Sequence, residues 1–328
     1  MIIMDRNTSP ISPLSEEAMV DVLSKTKINE YPGAEIDHFK QLYADHYNIS
    51  PDYIEVANGS DEWIQKTIMT LGQNGVMTVA PDFVMYKEYA DQIDVKFNTV
   101  PCNTDYRFDF DEVLKRIDEE RPSLFLISMP HNPTGQLFDY EELEKLAGAM
   151  KSIGGHLVID EAYAEFGPEF DKPAGEHVLI IRTLSKMYGV AGLRVGVVIA
   201  EGETFEKVTR INHPYPVNSL SLNMASKIFE EKEALAEFVA YQKRSKEMLE
   251  TAFKAVSEKV NVMESYTNFV FTYGKEAVSL GTYLMGNGFR CRMYNDDSLK
   301  DVVRYSIIRH EDYDGLNKLI KEWSNQHV

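Results

Sequence analysis

The sequence of 328 residues is poor in cysteine, with only Cys102 and Cys291. Two cysteines cannot form a disulfide framework in a chain of this length, and neither has the spacing of a metal ligand. The start "MIIMDRNTSP" contains no basic leader, and no apolar run approaches the roughly 18 residues that span a membrane. We therefore expect a protein of the reducing cytoplasm, without a signal peptide, a membrane span or a metal site.

Positive charge is also scarce, because 34 lysines and arginines face 52 aspartates and glutamates, which gives a formal net charge of -18. Nucleic acid and anionic membranes would be repelled by such a chain unless it carried a local basic patch, and the sequence contains none. The acidic residues fall in stretches such as "FDFDEVLKRIDEE", which are typical of solvated helix faces. These two classes of partner are therefore excluded.

Seven short apolar runs recur along the first two thirds of the chain, and amphipathic stretches separate most of them. The runs are "IEVAN", "VMTVA", "VKFNTV", "SLFLISM", "HLVID", "HVLII" and "RVGVVIA". This alternation is typical of a mostly parallel sheet covered by helices. The sequence predicts an α/β fold with a mostly parallel seven-stranded sheet.

Two helices can be predicted in more detail. Ile36, Phe39 and Tyr43 share one helical face. The segment "DYEELEKLAGAMKSIGG" opens with Asp139 three residues before Glu142, which is the pattern of a capping box.

After Pro216 the pattern changes to a long helical stretch, further short strands and a terminal helix. We predict a large domain over residues 29–216 and a smaller α+β domain over residues 1–28 and 217–328, with a long connecting helix.

Polar and aromatic side chains follow the predicted strands, and sites in parallel sheets form at the carboxyl ends of strands. Gly59, Ser60 and Asp61 follow the first run and open a helix, whose free N–H groups suit a phosphate. Phe83 follows the second run and Asn132 follows the fourth. Taken singly, these residues are better explained as a helix cap, a core aromatic and a turn.

Two further runs end in residues that carry chemistry. Asp160 ends "HLVID", and Tyr163 follows it. A carboxylate after a buried strand needs a cationic or N–H partner, and a salt bridge to a structural arginine is the alternative to a ligand. Lys186 and Arg194 lie in "RTLSKMYGVAGLRVG", which follows the sixth run. A lysine at such a point can act as a nucleophilic amine toward an aldehyde.

Together these strand ends offer partners for a phosphate, a planar ring, a ring nitrogen, a phenolic oxygen and an aldehyde. Pyridoxal 5'-phosphate is the molecule that combines these groups. The sequence therefore predicts this cofactor.

The segments "YPGAEIDHFKQLYADHYNI", "ANGSDEWI", "PHNPTGQL", "VIDEAYAEF", "RTLSKMYGVAGLRVG" and "HPYPVNSLS" resemble, in order and spacing, the histidinol-phosphate aminotransferase branch of the fold type I aminotransferases. The resemblance covers nearly the whole chain. It implies the fold of that class, transamination in histidine biosynthesis, and a cytoplasmic homodimer.

The resemblance also assigns roles to single residues. It implies that Lys186 binds the cofactor covalently and moves the reaction's proton, that Asp160 contacts the pyridine nitrogen, and that Asn132 and Tyr163 contact the phenolic oxygen. Phe83 corresponds to a residue that stacks on the ring. The residues implied around the phosphate are Gly59, Ser60, Asp61, Thr183, Ser185, Arg194 and, from the neighbouring subunit, Tyr31.

For the substrate, the resemblance implies that Arg304 binds the α-carboxylate beside Asn132. Arg292 is either a second basic group near the far end of the substrate or a surface arginine. The implied reaction moves an amino group between a donor and 2-oxoglutarate or glutamate.

Relatives usually carry a longer leader with an Asn-Glu-Asn-Pro motif, of which Asn7 and Pro10 are present here, and a glycine after the strand of Arg304. The substrate therefore stays open. A threonine-phosphate decarboxylase, an aromatic amino acid aminotransferase and, remotely, a cofactor-binding regulator are the alternatives.

Overall fold

The computed structural model describes residues 1–326, which contain twelve strands and eleven α-helices. The strands are β1 Ile2–Met4, β2 Ile54–Asn58, β3 Val76–Ala80, β4 Phe97–Pro101, β5 Leu124–Ser128, β6 His156–Asp160, β7 Val178–Thr183, β8 Val195–Ile199, β9 Asn261–Val262, β10 Phe269–Tyr273, β11 Phe289–Met293 and β12 Val302–Ser306. The helices are α1 Glu16–Lys25, α2 Ala34–Tyr47, α3 Ser60–Leu71, α4 Met85–Asp91, α5 Phe110–Glu120, α6 Tyr140–Ser152, α7 Gly202–Thr209, α8 Ser219–Glu230, α9 Lys232–Lys254, α10 Lys275–Gly286 and α11 Tyr313–Gln326.

The large sheet has seven strands in the order β2-β8-β7-β6-β5-β3-β4. Neighbouring pairs among β3 to β7 are parallel, whereas β8 is antiparallel to both β7 and β2. The predicted mostly parallel α/β sheet is confirmed. Because β8 runs in the opposite direction, its first residue lies at the edge where β7 ends.

The apolar runs become strands because both faces of the sheet are covered. Along β5, Phe125 and Ile127 pack into one apolar cluster with residues of α5 and α6. Leu124 and Leu126 point to the other face and pack with residues of α3. A strand buried on both faces reads as a continuous apolar run, which is why these strands could be located in the sequence.

The small sheet has five strands in the order β1-β11-β12-β10-β9, and β1 is parallel to β11. One apolar cluster contains residues of this sheet, of α9 to α11, and of β2 in the large sheet. The predicted division into domains at residues 28 and 216 stays a prediction.

Local predictions for two helices are confirmed, and one is corrected. Phe39 and Tyr43 of α2 are buried, and α6 begins with the capping box of Asp139 and Glu142. The helical stretch after Pro216 is two helices, because the backbone leaves the helical region at Glu231 between α8 and α9. None of the helices in residues 1–326 has the length and apolar character of a membrane span.

Candidate active site

A cavity of about 130 Å³ lies at the carboxyl edge of the large sheet. Its walls come from the carboxyl ends of β2, β3, β5, β6 and β7 and from the segment that precedes β8. The predicted residues that line it are Ser60, Asp61, Phe83, Asn132, Asp160, Tyr163, Thr183, Ser185, Lys186 and Arg194. Ser128, Ala162 and Ala191 complete the lining.

Asp160 is the buried acid of this cavity, with 4% of its surface exposed. The Tyr86 hydroxyl donates to its Oδ2 at 2.9 Å, and the Ala162 N–H donates to its Oδ1 at 3.2 Å. Burial raises the pKa of Asp160 to about 7; the Tyr86 hydrogen bond opposes this, and the nearby carboxylate of Asp82 adds to it. A protonated ring nitrogen is a cation that would stabilise the ionised form of such a carboxylate.

A salt bridge to a structural arginine was the alternative role for Asp160. In the structure, the neighbouring residue Glu161 forms that salt bridge instead. Arg182 Nε donates to Glu161 Oε2 at 2.7 Å, and Lys172 Nζ lies 3.1 Å from Glu161 Oε1. Asp160 has no ion pair with any residue of the described range 1–326. Its buried charge is therefore available to a ligand.

Lys186 lies in a turn that its neighbours hold in place. The Leu184 N–H donates to the Val195 carbonyl at 3.1 Å, and the side chain of Gln242 in α9 donates to the carbonyl of Lys186 at 3.2 Å. The Lys186 Nζ lies 5.6 Å from the centre of the Tyr163 ring. The amine therefore projects toward the residues that line the cavity.

The residues predicted to bind the phosphate surround the start of α3 and form a candidate anion site. Arg194 precedes β8 with a φ of 54°, an uncommon value for a residue other than glycine, and its Nη2 donates to Asp61 Oδ2 at 2.7 Å. A Cβ atom on Gly59 would lie 2.4 Å from Arg194 Nη2, so the guanidinium packs directly on the glycine. Because the Asp61 carboxylate binds Arg194, only its backbone N–H suits a phosphate.

Hydroxyl groups lie on the other side of this anion site. Thr183 donates to Ser185 Oγ at 2.9 Å, and both side chains are buried beside the Lys186 turn. With Ser60, the guanidinium and the free N–H groups of α3, these hydroxyls form a donor set that fits a phosphate dianion.

Arg304, the predicted substrate arginine, approaches the cavity from the small sheet. Arg304 Nη1 donates to Asn132 Oδ1 at 2.6 Å, and its guanidinium lies 5.0 Å from the centre of the Phe269 ring. Arg292 lies directly opposite Arg304 on the neighbouring strand. Tyr31 lies elsewhere: its side chain is 78% exposed and stacks on Tyr215 at 4.6 Å.

Two contacts of the site escaped the sequence analysis. Tyr86 binds Asp160, and the Asn7 side chain donates to the Tyr163 hydroxyl at 2.9 Å. Tyr86 lies in α4, the helix that follows the end of β3, so its position in the sequence could have indicated a place near the site. Asn7 is 156 residues from Tyr163 in the sequence, and no local pattern reveals such a contact.

Known proteins resemble this chain over most of its length. The family "Aminotransferase class I and II" matches residues 5–304. The histidinol-phosphate aminotransferases of Clostridium novyi and of Thermoanaerobacter sp. strain X514 are 29% and 30% identical. Their alignments cover 93% and 97% of this chain, and 86% and 92% of those proteins.

Solved structures share the fold. The histidinol-phosphate aminotransferase of Sinorhizobium meliloti in complex with pyridoxal-5'-phosphate gives a TM-score of 0.86 at 22% identity, covering 100% of this chain and 92% of that one. The L-threonine-O-3-phosphate decarboxylase of Porphyromonas gingivalis gives 0.78 at 19% identity, covering 99% of this chain and 100% of that one. The match of the family to most of the chain confirms the predicted resemblance and cofactor, and the chain belongs to the class I and II aminotransferases, which are enzymes that depend on pyridoxal phosphate.

Proposed function

We propose that this aminotransferase moves an amino group between histidinol phosphate and 2-oxoglutarate, as a cytoplasmic enzyme of histidine biosynthesis. In the biosynthetic direction, glutamate would be the donor and imidazole-acetol phosphate the acceptor. The observation that carries the proposal is one cavity with Lys186, Asp160 and Arg194 in its wall, in a chain whose relatives carry that name. Cys102 and Cys291 are unpaired, which fits a reducing compartment.

The residues of the cavity fit the cofactor group by group. Asp160 would hold the proton at the pyridine nitrogen, while Asn132 and Tyr163 would donate to the phenolic oxygen. Phe83 would lie against the ring. The phosphate would bind at Gly59, Ser60, the Asp61 N–H, Thr183, Ser185 and Arg194. Bound pyridoxal phosphate supplies an electron-withdrawing ring that stabilises negative charge on the amino-bearing carbon of the substrate.

The side chains of the protein would then orient the substrate and move its proton. Lys186 Nζ would anchor the cofactor and accept the proton from the amino-bearing carbon. Arg304 would bind the carboxylate of 2-oxoglutarate, with Asn132 fixing its guanidinium at 2.6 Å. Because the charged groups of Arg194 and Asp160 are held in place before the substrate binds, little reorganisation would be needed during the reaction.

We propose further that the enzyme is a homodimer in which Tyr31 reaches the phosphate of the neighbouring subunit. Tyr31 is 78% exposed, and the exposed apolar side chains of Leu23 and Ile28 precede it closely in the sequence. Such exposed apolar groups favour burial against a second copy. Sedimentation of the holoenzyme should give twice the mass of the chain, and Tyr31→Phe should weaken cofactor binding. A monomer with full cofactor affinity contradicts this part.

The decisive experiment mixes the purified holoenzyme with one amino donor at a time and follows the visible absorbance of the bound cofactor. L-glutamate and histidinol phosphate should each convert the cofactor to its amino form, while aromatic amino acids should react more slowly. O-phosphothreonine with detection of carbon dioxide tests the decarboxylase alternative. If no amino donor converts the cofactor, the aminotransferase proposal fails.

Lys186→Ala should abolish turnover while the anion site still binds the cofactor. The absorbance of the variant after dialysis measures the retained cofactor. Lys115→Ala is the control, because Lys115 is an exposed lysine of α5 outside the cavity. Normal turnover by Lys186→Ala would contradict the central assignment.

A further inference from the structure

Two arginines face each other on the small sheet without an anion between them. Arg292 of β11 and Arg304 of β12 are direct partners in an antiparallel pair, so their side chains point to the same face. Like charges directly opposite each other destabilise a sheet. Arg292 forms no ion pair within residues 1–326. The hydrogen bonds of Arg304 go to two neutral acceptors, the side-chain oxygen of Asn132 and the backbone carbonyl of Asp5. A bound anion would offset this repulsion.

Tyr294 lies on the same face, two positions after Arg292. The Arg292 guanidinium lies 5.3 Å from the centre of the Tyr294 ring. The Tyr294 hydroxyl and Arg304 Nε are both buried and have no hydrogen-bond partner among the described residues. Buried polar groups are normally hydrogen-bonded, so two orphaned donors beside two arginines indicate a missing acceptor.

The chemistry of the hydroxyl fits a donor. Burial raises the pKa of Tyr294, and the charges of Arg304 and Arg292 oppose this rise. The phenol therefore keeps its proton at neutral pH and can donate a hydrogen bond to an anionic oxygen.

This face of the small sheet is turned toward the candidate active site. Arg304 reaches Asn132 in the cavity wall, and the Phe269 ring lies 5.3 Å from the Tyr163 ring. The Tyr294 ring packs against an apolar cluster that includes Phe271, which fixes the position of its hydroxyl.

We infer that Tyr294 is a specificity-determining residue, whose buried hydroxyl donates a hydrogen bond to a second anionic group of the substrate at Arg292. The inference deepens the proposed function and rests on it. The side-chain carboxylate of glutamate and a phosphate monoester share the required chemistry, because each presents an anionic oxygen remote from the reacting carbon. A substrate with one carboxylate and an apolar tail offers no acceptor there.

The test measures equilibrium binding by calorimetry to the holoenzyme reconstituted with the amino form of the cofactor, pyridoxamine phosphate. This form cannot take an amino group from histidinol phosphate, so the measured binding does not depend on turnover. The probes are glutarate against pentanoate, and histidinol phosphate against histidinol. Tyr294→Phe should weaken binding of glutarate, of histidinol phosphate, or of both by about 10-fold or more, as expected for a hydrogen bond to a charged group. Pentanoate and histidinol should bind as they do to the wild type. The two arms show which anion uses the hydroxyl.

Tyr273→Phe is the matched control, because Tyr273 packs against the same apolar cluster. It should leave all four affinities unchanged.

Since the Tyr294 hydroxyl has no partner in the described chain, Tyr294→Phe should also unfold at the same temperature as the wild type or at a higher one. The inference is overturned if both anionic probes keep their wild-type affinities, or if pentanoate and histidinol lose as much affinity as their anionic counterparts. Failure of every amino donor to react would sink the proposed function but leave the glutarate result valid.

Discussion

At the scale of a single residue, the buried carboxyl of Asp160 opposes the stability of the fold. Its carboxyl is buried and its pKa is raised to about 7, above its ordinary value of 3.8. Below about pH 4 the group is protonated in both the folded and the unfolded chain. Between about pH 4 and pH 7 the folded chain keeps the proton that the unfolded chain releases, so stability falls as the pH rises. Above pH 7 the penalty is constant.

Asp160→Asn removes this penalty without changing the shape of the side chain. In the cofactor-free protein, the substitution should increase the free energy of unfolding by about 1 to 2 kcal/mol more at pH 8 than at pH 5.5. Urea unfolding at the two pH values measures the difference. Amino transfer by the reconstituted variant should be lost. An equal effect of the substitution at both pH values would contradict the raised pKa.

At the same scale, the sequence revealed residues whose positions alone are informative. Lys186, Asp160 and Arg194 could be singled out because each lies at an end of a strand, or within three residues of one, and that strand reads as an apolar run. Their roles in the reaction remain predictions. Asn7 and Tyr294 could not be found in this way, since their importance depends on contacts with residues far away in the sequence.

At the scale of elements, β8 approaches the start of α3 closely and so shapes the candidate anion site. A Cβ atom on Gly196 would lie 2.2 Å from the carbonyl carbon of Gly59 and 2.3 Å from the backbone nitrogen of Ser60. These are backbone atoms, so the first turn of α3 would have to move. Because Gly196 has no side chain, the first turn of α3 can lie against β8, and this contact sets the position of the predicted phosphate donors.

Gly196→Ala should lower the free energy of unfolding by about 1 to 3 kcal/mol, as overpacking does, and should weaken cofactor binding. Gly148→Ala is the control, because Gly148 lies within α6 with no atom near its Cβ position. That variant should gain about 0.5 to 1 kcal/mol and bind the cofactor normally. Urea unfolding and cofactor titration of both variants check the pair. Wild-type cofactor affinity in Gly196→Ala would show that α3 tolerates the shift.

The existence of the elements was predictable, but their directions and breaks were not. All seven large-sheet strands were located from their apolar runs, which are most continuous in strands such as β5 that are covered on both faces. Periodicity carries no information on direction, so the antiparallel β8 was unexpected. The break at Glu231 also lacked a signal, because no glycine or proline marks it.

At the scale of the whole molecule, the amino-terminal segment connects the two sheets. β1 pairs with β11 of the small sheet, and Asn7 follows it with only 2% of its surface exposed. The Asn7 N–H donates to Ser306 Oγ at 2.9 Å, and its carbonyl accepts from Asn268 Nδ2 at 3.0 Å. Its side chain donates to the Tyr163 hydroxyl beside the cavity. One residue thus joins three distant parts of the chain.

Removing the Asn7 side chain should loosen this connection. Asn7→Gly keeps the φ of 54° and loses the side-chain bonds to Tyr163 and Ser306, so we expect a loss of about 1 to 3 kcal/mol in the free energy of unfolding. Asn7→Ala should lose about 1 kcal/mol more, because alanine disfavours a positive φ.

Both Asn7 variants should also bind the cofactor less tightly, since the Tyr163 hydroxyl loses its partner. Urea unfolding, cofactor titration and hydrogen exchange of the β1 amides measure the three effects. Exchange should accelerate in β1 while the amides of β5, buried in the large sheet, keep their wild-type rates. If β1 exchanges at its wild-type rate in Asn7→Gly, the strand pairing with β11 alone holds the segment, and Asn7 only positions Tyr163.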